Sequence, residues 1–374
     1  MAGIYIHIPF CKQACHYCDF HFSTVLKHKE KVLNSMLTEL DLRKDYCQEK
    51  IETIYFGGGT PSILNKDELK AFFDVVYDKY EVVNHAEITV ECNPDDLTED
   101  KLKELKYLGV NRLSIGLQSF QNENLTLMNR AHNAQESLKC VGLATEIGFD
   151  NVTIDLIYGM PNQTLEDWQK ELEIAVDLGV DHISSYCLTV EEKTPLHKMV
   201  NQGKVIPIKD EVSSEQFQLM VSFLDQYGYE QYEISNFAKP GCYSKHNTAY
   251  WQQKKYVGIG PGAHSFNGAS RQWNISNNHK YASLISDSEN YFELENIATK
   301  DAYNEYMLTG LRTKWGVNLH YIVTNFGLEY KEYFLKEVKP YESTLKITNL
   351  NHNYTLTQSG KLMADAIASD LFWV

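Results

Sequence analysis

The sequence has no run of 18 apolar residues, and this absence excludes a membrane-spanning helix from its predicted elements. Basic residues are also scarce: 35 Lys and Arg stand against 50 Asp and Glu, a formal net charge of −15. A chain this acidic repels phosphate backbones, so no nucleic-acid partner is expected without a local basic patch. Eight cysteines in 374 residues are too few for a disulfide scaffold.

The N-terminal segment lacks the basic region and the long apolar core of a signal peptide. Together with the low cysteine content, this predicts a reducing, cytoplasmic location. Apolar residues make up 43% of the chain, so folding can bury a sizeable core without help from disulfides. The length predicts two or three domains, at about 150 residues per domain.

Short apolar, β-branched segments alternate with amphipathic helical stretches over the first 230 residues. Strands are predicted near 3–8, 52–56, 86–91, 112–117, 151–157 and 182–188. Helices are predicted near 24–46, 66–80, 98–107, 134–147, 164–178 and 212–227. Two of these helices begin with capping signatures, Asn65 with Glu68 and Thr164 with Asp167. The order predicts an α/β fold of βαβ units, in the form of a full or partial parallel β/α barrel.

Three segments of different character follow one another along the chain. We expect the barrel to occupy residues 1–235 and an irregular connecting region, rich in Gly and aromatic residues, to occupy 236–299. Residues 300–374 are predicted to form a small α/β domain of the winged-helix type. Its helices are expected near 300–313, 318–326 and 329–338, followed by a hairpin and a last helix from about residue 359. This last segment has eight basic and eight acidic residues, so it is predicted to serve packing or a partner rather than DNA.

Three cysteines, Cys11, Cys15 and Cys18, follow the first predicted strand in a C-x3-C-x2-C arrangement. A structural zinc site usually has four ligands, and His16 or His21 could supply a fourth. No second cysteine pair follows at a suitable distance. Three thiolates without an obvious fourth ligand favour an iron–sulfur cluster with one iron left open to a small ligand.

The segment Tyr5-Ile-His-Ile-Pro-Phe-Cys-Lys-Gln-Ala-Cys-His-Tyr-Cys-Asp-Phe resembles the cluster loop of radical S-adenosylmethionine proteins. More narrowly, it resembles the group that contains the oxygen-independent coproporphyrinogen III oxidases and the haem chaperones of the HemW family. The resemblance extends through His264 and covers most of the chain. It implies a [4Fe-4S] cluster on Cys11, Cys15 and Cys18, with S-adenosylmethionine on the fourth iron. It also implies that residues 1–235 form the radical S-adenosylmethionine core.

A glycine-rich turn and several strand-end polar residues occur where such proteins bind their cosubstrate. Three successive glycines before Thr60 allow a tight βα turn and close backbone approach to a ligand. Asp155 lies inside an apolar strand, where an unpaired carboxylate costs several kcal/mol. Polar residues at successive strand ends are typical of parallel-barrel active sites. The resemblance implies that S-adenosylmethionine is bound by Gly58, Gly59, Thr60, Glu91, Gln118, Arg130 and Asp155, with Tyr5 and Tyr17 nearby.

Two features separate the sequence from the oxidases within this group. The oxidases carry another cysteine two residues beyond the third cluster cysteine, and this position is Phe20 here. They also have an extended segment before the motif, whereas ten residues precede Cys11. A third feature, His246-Asn-Thr-Ala-Tyr-Trp, resembles the H-N-x-x-Y-W motif of the HemW family and implies haem binding by His246. An imidazole is a good axial ligand and aromatic rings offer flat faces to a porphyrin. His264 is a second candidate.

The resemblance implies a haem chaperone that binds haem and delivers it to haem-requiring proteins such as respiratory ones. It further implies an electron donor and allows a peripheral position at the inner face of the cell membrane. Whether the chain is an enzyme stays open, and no catalytic residue is assigned. One alternative is the oxidative decarboxylation of coproporphyrinogen III, and another is an interaction protein stabilised by zinc.

Overall fold

A twelve-stranded sheet is the centre of the computed structural model, which describes residues 2–374. Seven of its strands are parallel neighbours, in the order β9-β1-β2-β3-β4-β5-β6. They are β1 (Ala2–Ile8), β2 (Ile51–Gly58), β3 (Val82–Cys92), β4 (Arg112–Gln118), β5 (Val152–Tyr158), β6 (His182–Cys187) and β9 (Lys255–Ile259). All six strands predicted in the first 230 residues are therefore present, and the parallel sheet is confirmed.

Antiparallel strands extend the sheet at both edges. Beside β6 lie β8 (Asn236–Ala238) and β7 (Glu230–Glu233), and beside β9 lie β10 (His264–Phe266), β11 (Ser270–Asn274) and β12 (Phe292–Asn296). Within residues 2–374 no ladder joins the two outermost strands, β12 and β7. The sheet therefore forms a partial barrel with an open side.

Helices connect the parallel strands and cover the outside of the sheet, as the βαβ pattern predicts. They are α1 (Lys29–Leu42), α2 (Lys66–Lys79), α3 (Glu99–Tyr107), α4 (Asn122–Leu127), α5 (Ala134–Glu146), α6 (Leu165–Asp177), α7 (Pro195–Asn201) and α8 (Asp210–Gln226). Three 3₁₀ turns occupy Leu26–His28, Pro61–Ile63 and Pro94–Asp96. The capping boxes predicted at Asn65 and Thr164 are both formed, and no helix in residues 2–374 is long and apolar enough to cross a membrane.

The segment 236–299 is not irregular, and this prediction is wrong. It contains five of the twelve strands together with α9 (Lys245–Trp251) and α10 (Asn278–Ser286). Each strand has only three to five residues, which is too short for a hydrophobic alternation to be visible in the sequence. The strand β9 pairs in parallel with β1, so this segment completes the sheet rather than connecting two domains.

A second hydrophobic core begins at Tyr303 and is separate from the core of the sheet. It is built from α11 (Thr299–Leu311), α12 (Leu319–Phe326), α13 (Leu328–Glu337), α14 (Lys339–Ser343), α15 (Gln358–Lys361) and α16 (Ala364–Asp370). These helices pack with a small antiparallel sheet of β13 (Val317–Asn318), β15 (Asn353–Leu356) and β14 (Ile347–Leu350). Helices followed by a hairpin match the predicted order, and the domain boundaries at residues 235 and 299 stay predictions.

Candidate functional site

A cavity of about 440 Å³ opens at the carboxyl ends of the parallel strands. This edge is where parallel barrels collect polar side chains from several strands. Eleven of the thirteen residues predicted to bind cofactors line it. They are Cys11, Cys15, Tyr17, Cys18, Gly58, Gly59, Thr60, Glu91, Gln118, Arg130 and Asp155. The remaining two, Tyr5 and His246, do not line this cavity.

The cysteine loop, residues 9–23, leaves the end of β1 and is held in place by its backbone. The Cys11 N–H donates to the Ser23 carbonyl (3.1 Å), and the Ser23 N–H donates to the Pro9 carbonyl (3.0 Å). Farther along, the His16 N–H donates to the carbonyl of Met128 (3.0 Å). Because backbone bonds fix the loop, its three half-buried thiols are left free for other ligands.

The thiols fit an iron–sulfur cluster better than a single zinc ion. Among residues 2–374 no three His, Cys, Asp or Glu side chains converge on a point that could hold one ion. The thiolates of a [4Fe-4S] cluster bind separate irons, so such convergence is not needed. The two histidines considered as zinc ligands do not join the thiols in such a group. Each bonds through one ring nitrogen, His16 to the Leu127 carbonyl (2.8 Å) and His21 to Asn278 (2.7 Å).

Burial raises the pKa of the Cys11 thiol and of the Cys18 thiol to about 11. A hydrogen bond with Thr60 partly offsets this effect at Cys11. Both side chains are therefore protonated at neutral pH in the metal-free protein. Binding of iron must displace these protons, since thiolates rather than thiols are the ligands.

The glycine-rich turn after β2 packs directly against the cysteine loop. A Cβ at Gly59 would lie 2.6 Å from the Phe10 carbonyl oxygen, and one at Gly58, whose φ is +102°, would lie 2.5 Å from the His7 ring. The N–H of Gly59 donates to the Ile8 carbonyl (2.8 Å), and that of Thr60 donates to Phe10 (2.7 Å). These two N–H groups therefore hold the cysteine loop in place.

Two carboxylates, from β3 and β5, enter the cavity. Glu91 accepts hydrogen bonds from the Tyr55 hydroxyl (2.7 Å) and from the Gly58 N–H (3.0 Å). Asp155 lies 3.3 Å from the hydroxyl of Ser114. Burial raises the pKa of Glu91 to about 7 and that of Asp155 to about 6. Burial therefore disfavours the charged forms of both carboxylates. A bound cationic or hydrogen-bond-donating group would stabilise these charged forms.

Arg130 links the cysteine loop to the strand ends. Its Nη2 donates to Asn93 Oδ1 (2.7 Å) and to the carbonyl of Gly116 (2.8 Å), while Nη1 lies 3.4 Å from Cys15 Sγ. Its buried Nε has no partner among residues 2–374. A buried donor without an acceptor is costly, so this atom fits a site that is completed by a ligand.

Gln118 has a φ of +67° at the end of β4, a backbone conformation that is uncommon for residues other than glycine. It places a long polar side chain at the cavity wall. Backbone strain of this kind occurs at ligand sites, where surrounding contacts over-determine the geometry.

Several lining residues were missed by the sequence analysis. They are Tyr55, Asn93, Ser114, Ser184 and Tyr186. Asn93 directly follows β3 and Tyr186 is next to last in β6, whereas Tyr55, Ser114 and Ser184 lie within β2, β4 and β6. Inspection of the polar residues near the end of each predicted strand would have found Tyr55, Asn93 and Tyr186, but not the two serines.

His246, which the motif implies as a haem ligand, is buried. It lies in α9, is 2% exposed, and its ring stacks on that of Tyr55 in β2 with 4.9 Å between centroids. Nδ1 lies 2.7 Å from Thr53 Oγ1, and Nε2 lies 2.9 Å from the Tyr250 hydroxyl. Burial lowers its pKa to about 3. Because both ring nitrogens have protein partners, His246 cannot coordinate a haem iron in this conformation.

Comparison with known proteins gives two family matches. The radical SAM superfamily matches residues 5–175, and the HemN C-terminal domain matches residues 297–363. The chain is 35% identical to the heme chaperone HemW of Bacillus subtilis over 371 residues, which cover 98% of each protein. It is 38% identical to the heme chaperone HemW of Escherichia coli over 266 residues, 70% of this chain and 69% of that one.

A solved structure shares the fold along nearly the whole chain. Coproporphyrinogen III oxidase (HemN) from Escherichia coli superposes with a TM-score of 0.86 over 99% of this chain and 90% of that one. The sequences are 24% identical, so this match establishes the fold.

Proposed function

The chain belongs to the HemW family of radical S-adenosylmethionine proteins, and from this membership we propose that it is a haem chaperone that binds haem and passes it to haem-requiring proteins. The observation that carries the proposal is the 35% identity to a heme chaperone HemW along 98% of both chains. The oxidase alternative has less support, because its relative matches at 24% identity and supports the fold. Phe20, 68% exposed, also stands where the oxidases have their additional cysteine.

Membership of the radical SAM superfamily implies a [4Fe-4S] cluster and S-adenosylmethionine. When bound, this pair supplies one-electron chemistry at an iron that has no protein ligand. We assign the cluster to Cys11, Cys15 and Cys18 because these thiols share one cavity and their loop is fixed by backbone bonds. Arg130 holds a positive charge and a hydrogen-bond donor beside Cys15. This donor would stabilise the thiolate.

The cosubstrate is assigned to the same cavity. Its proposed contacts are Tyr17, Gly58, Gly59, Thr60, Glu91, Gln118, Arg130 and Asp155, with Tyr5 behind Tyr55. Glu91 and Asp155 can accept hydrogen bonds from hydroxyl groups in their ionised form. The protein partners of haem delivery, the electron donor and a peripheral position at the inner face of the cell membrane belong to the same proposal.

The test begins with protein purified and reconstituted without oxygen. We expect about four irons per chain in the wild type and in Cys242→Ala, whose cysteine is outside the motif, and loss of the cluster in Cys15→Ala. Haem-loaded protein should then transfer its haem to a haem-free globin used as acceptor. Protein that holds zinc alone would overturn the cluster assignment. Robust formation of protoporphyrinogen IX from coproporphyrinogen III, with reductant and S-adenosylmethionine, would favour the oxidase.

A further inference from the structure

A second cavity, of about 600 Å³, is lined in part by Tyr5 and His7 of β1. We name it the aromatic cavity and define it by Tyr250, Trp251, Tyr256, His264 and Phe266. Its walls come from α9, β9 and β10, the segment predicted to be irregular. Phe20 and Asp19, at the end of the cysteine loop, line both cavities, so the two are adjacent.

The walls of this cavity suit a flat, apolar ligand. The rings of Tyr250 and Tyr256 meet edge to face, with 4.5 Å between centroids, and Phe266 lies next to Tyr256. Cofactor cavities of roughly 300–1,000 Å³ lined by aromatic side chains bury most of a ligand's surface. A porphyrin ring presents such a surface, since its two faces are apolar and its edge carries the charged groups.

One imidazole in the cavity is free to bind a metal. His264, at the start of β10, is exposed and makes no side-chain hydrogen bond in the part of the chain that the structure describes. By contrast, the His7 ring contacts the Tyr5 hydroxyl (3.0 Å) and the His21 carbonyl (2.9 Å), and the His21 ring contacts Asn278. Partial burial and the Arg271 guanidinium lower the pKa of His264, which favours the neutral ring. A neutral imidazole is the form that coordinates iron.

Two cations, Lys254 and Arg271, line the cavity, although the chain carries a net charge of −15. Lys254 is half-buried, and its side chain is in none of the salt bridges among the described residues, 2–374. Arg271 forms a bidentate pair with Glu305, at 2.7 and 3.0 Å, and remains partly exposed. The two side chains could pair with carboxylates on the edge of a bound ligand.

We propose that the aromatic cavity is the haem site, with His264 as axial ligand and with Lys254 and Arg271 facing the propionates. This proposal rests on the proposed haem-chaperone function. It replaces His246, the residue implied by the H-N-x-x-Y-W motif, as iron ligand. In this structure Tyr250 and Trp251 of the motif form part of the cavity wall. His246 does not line the cavity and is hydrogen-bonded to the Tyr250 hydroxyl.

Titration of the full chain with haem, followed in the Soret region, tests the proposal. We expect His264→Ala to raise the Kd at least tenfold and to remove the imidazole signature from the electron paramagnetic resonance spectrum. His264→Cys should move the Soret band to the position of thiolate-ligated haem. His85→Ala removes an exposed histidine outside the cavity and should bind haem as the wild type does.

The paired variant Lys254→Glu with Arg271→Glu tests the propionate contacts. It should weaken haem binding but have little effect on haem dimethyl ester, whose propionates carry no charge. A His264→Ala protein that keeps the wild-type Kd and spectrum would overturn the proposal, as would His246→Gln alone losing the imidazole signature while circular dichroism shows a native fold. If the wild type binds no haem, the proposed function fails instead, so the two failures are distinguishable.

Discussion

Nη1 of Arg130 lies 3.4 Å from the sulfur of Cys15, and this contact joins a residue after β4 to the loop after β1. A cation that donates to a cluster thiolate stabilises the reduced, more negative cluster and raises its potential. The contact was not visible in the sequence, where 115 positions separate the two residues. If Cys15 binds the proposed cluster, this contact would give Arg130 a role there in addition to the one proposed for the cosubstrate.

Substitution of Arg130 by Gln should therefore lower the reduction potential of the cluster by tens of millivolts. A dithionite titration followed by electron paramagnetic resonance measures this shift. Lys12→Gln is the matched control, because Lys12 follows Cys11 directly but already pairs with Asp95 and Asp96. Equal potentials in wild type and Arg130→Gln would show that the guanidinium has no influence on the cluster.

We expect a side chain at Gly59, in the glycine-rich turn, to clash with the cysteine loop. In Gly59→Ala the new methyl group would meet three backbone atoms, of Ile8 and Phe10, all within 2.9 Å. Backbone atoms cannot move aside locally, so we expect a loss of about 1–3 kcal/mol in the free energy of unfolding and a lower iron content. Urea unfolding and iron analysis measure the two effects.

A matched glycine exists in α5. A Cβ at Gly142 meets no atom within 4 Å, so Gly142→Ala should be neutral or stabilising by up to about 1 kcal/mol. Equal behaviour of the two variants would mean that the turn and the cysteine loop are not in close contact.

The raised pKa of Asp155 predicts how the free energy of unfolding depends on pH. Its pKa is about 6 in the folded protein, against an ordinary value of 3.8. Between these values the folded protein binds a proton that the unfolded chain does not, so the free energy of unfolding falls as the pH rises. Asp155→Asn removes this titration. Above pH 6 the variant should be more stable than the wild type by about 1–3 kcal/mol, and the difference should vanish below pH 4.

Urea unfolding of the cofactor-free proteins across pH 4–8 measures this difference. The same variant should lose S-adenosylmethionine binding, since the proposed cosubstrate contact is removed. A variant that is less stable than the wild type at pH 8 would contradict the raised pKa of Asp155.

The parallel part of the fold could be predicted because its strands are long and apolar and because two of its helices, α2 and α6, begin with capping boxes that are visible in the sequence. The cysteine cavity could be predicted because residues at the carboxyl ends of parallel strands meet at one edge of the sheet. The buried position of His246 could not be predicted, because the motif specifies the residue type but not its surroundings. Its burial depends on Thr53, 193 positions away, and on β9 pairing with β1.

Buried polar groups that join distant segments are a second class that the sequence does not reveal. In the sequence Glu39 is one of several acidic residues of α1 and has no distinguishing feature, yet its side chain is 0% exposed. It accepts hydrogen bonds from the Gly260 N–H (2.7 Å), the Asn274 amide (2.7 Å) and the Tyr281 hydroxyl (2.5 Å). Through these bonds α1 holds the segment that carries the aromatic cavity.

Glu39→Ala should therefore cost about 3–5 kcal/mol in the free energy of unfolding, because three buried donors and Arg43 lose their acceptor. Since the lost bonds lie in the segment around Gly260, we also expect weaker haem binding at temperatures where the rest of the protein remains folded. Glu30→Ala, at an exposed position of the same helix, should stay within about 0.5 kcal/mol of the wild type. Urea unfolding and hydrogen exchange across β9–β11 distinguish the two variants. Similar stabilities would mean that Glu39 does not anchor this segment, and another contact would then have to hold the aromatic cavity in place.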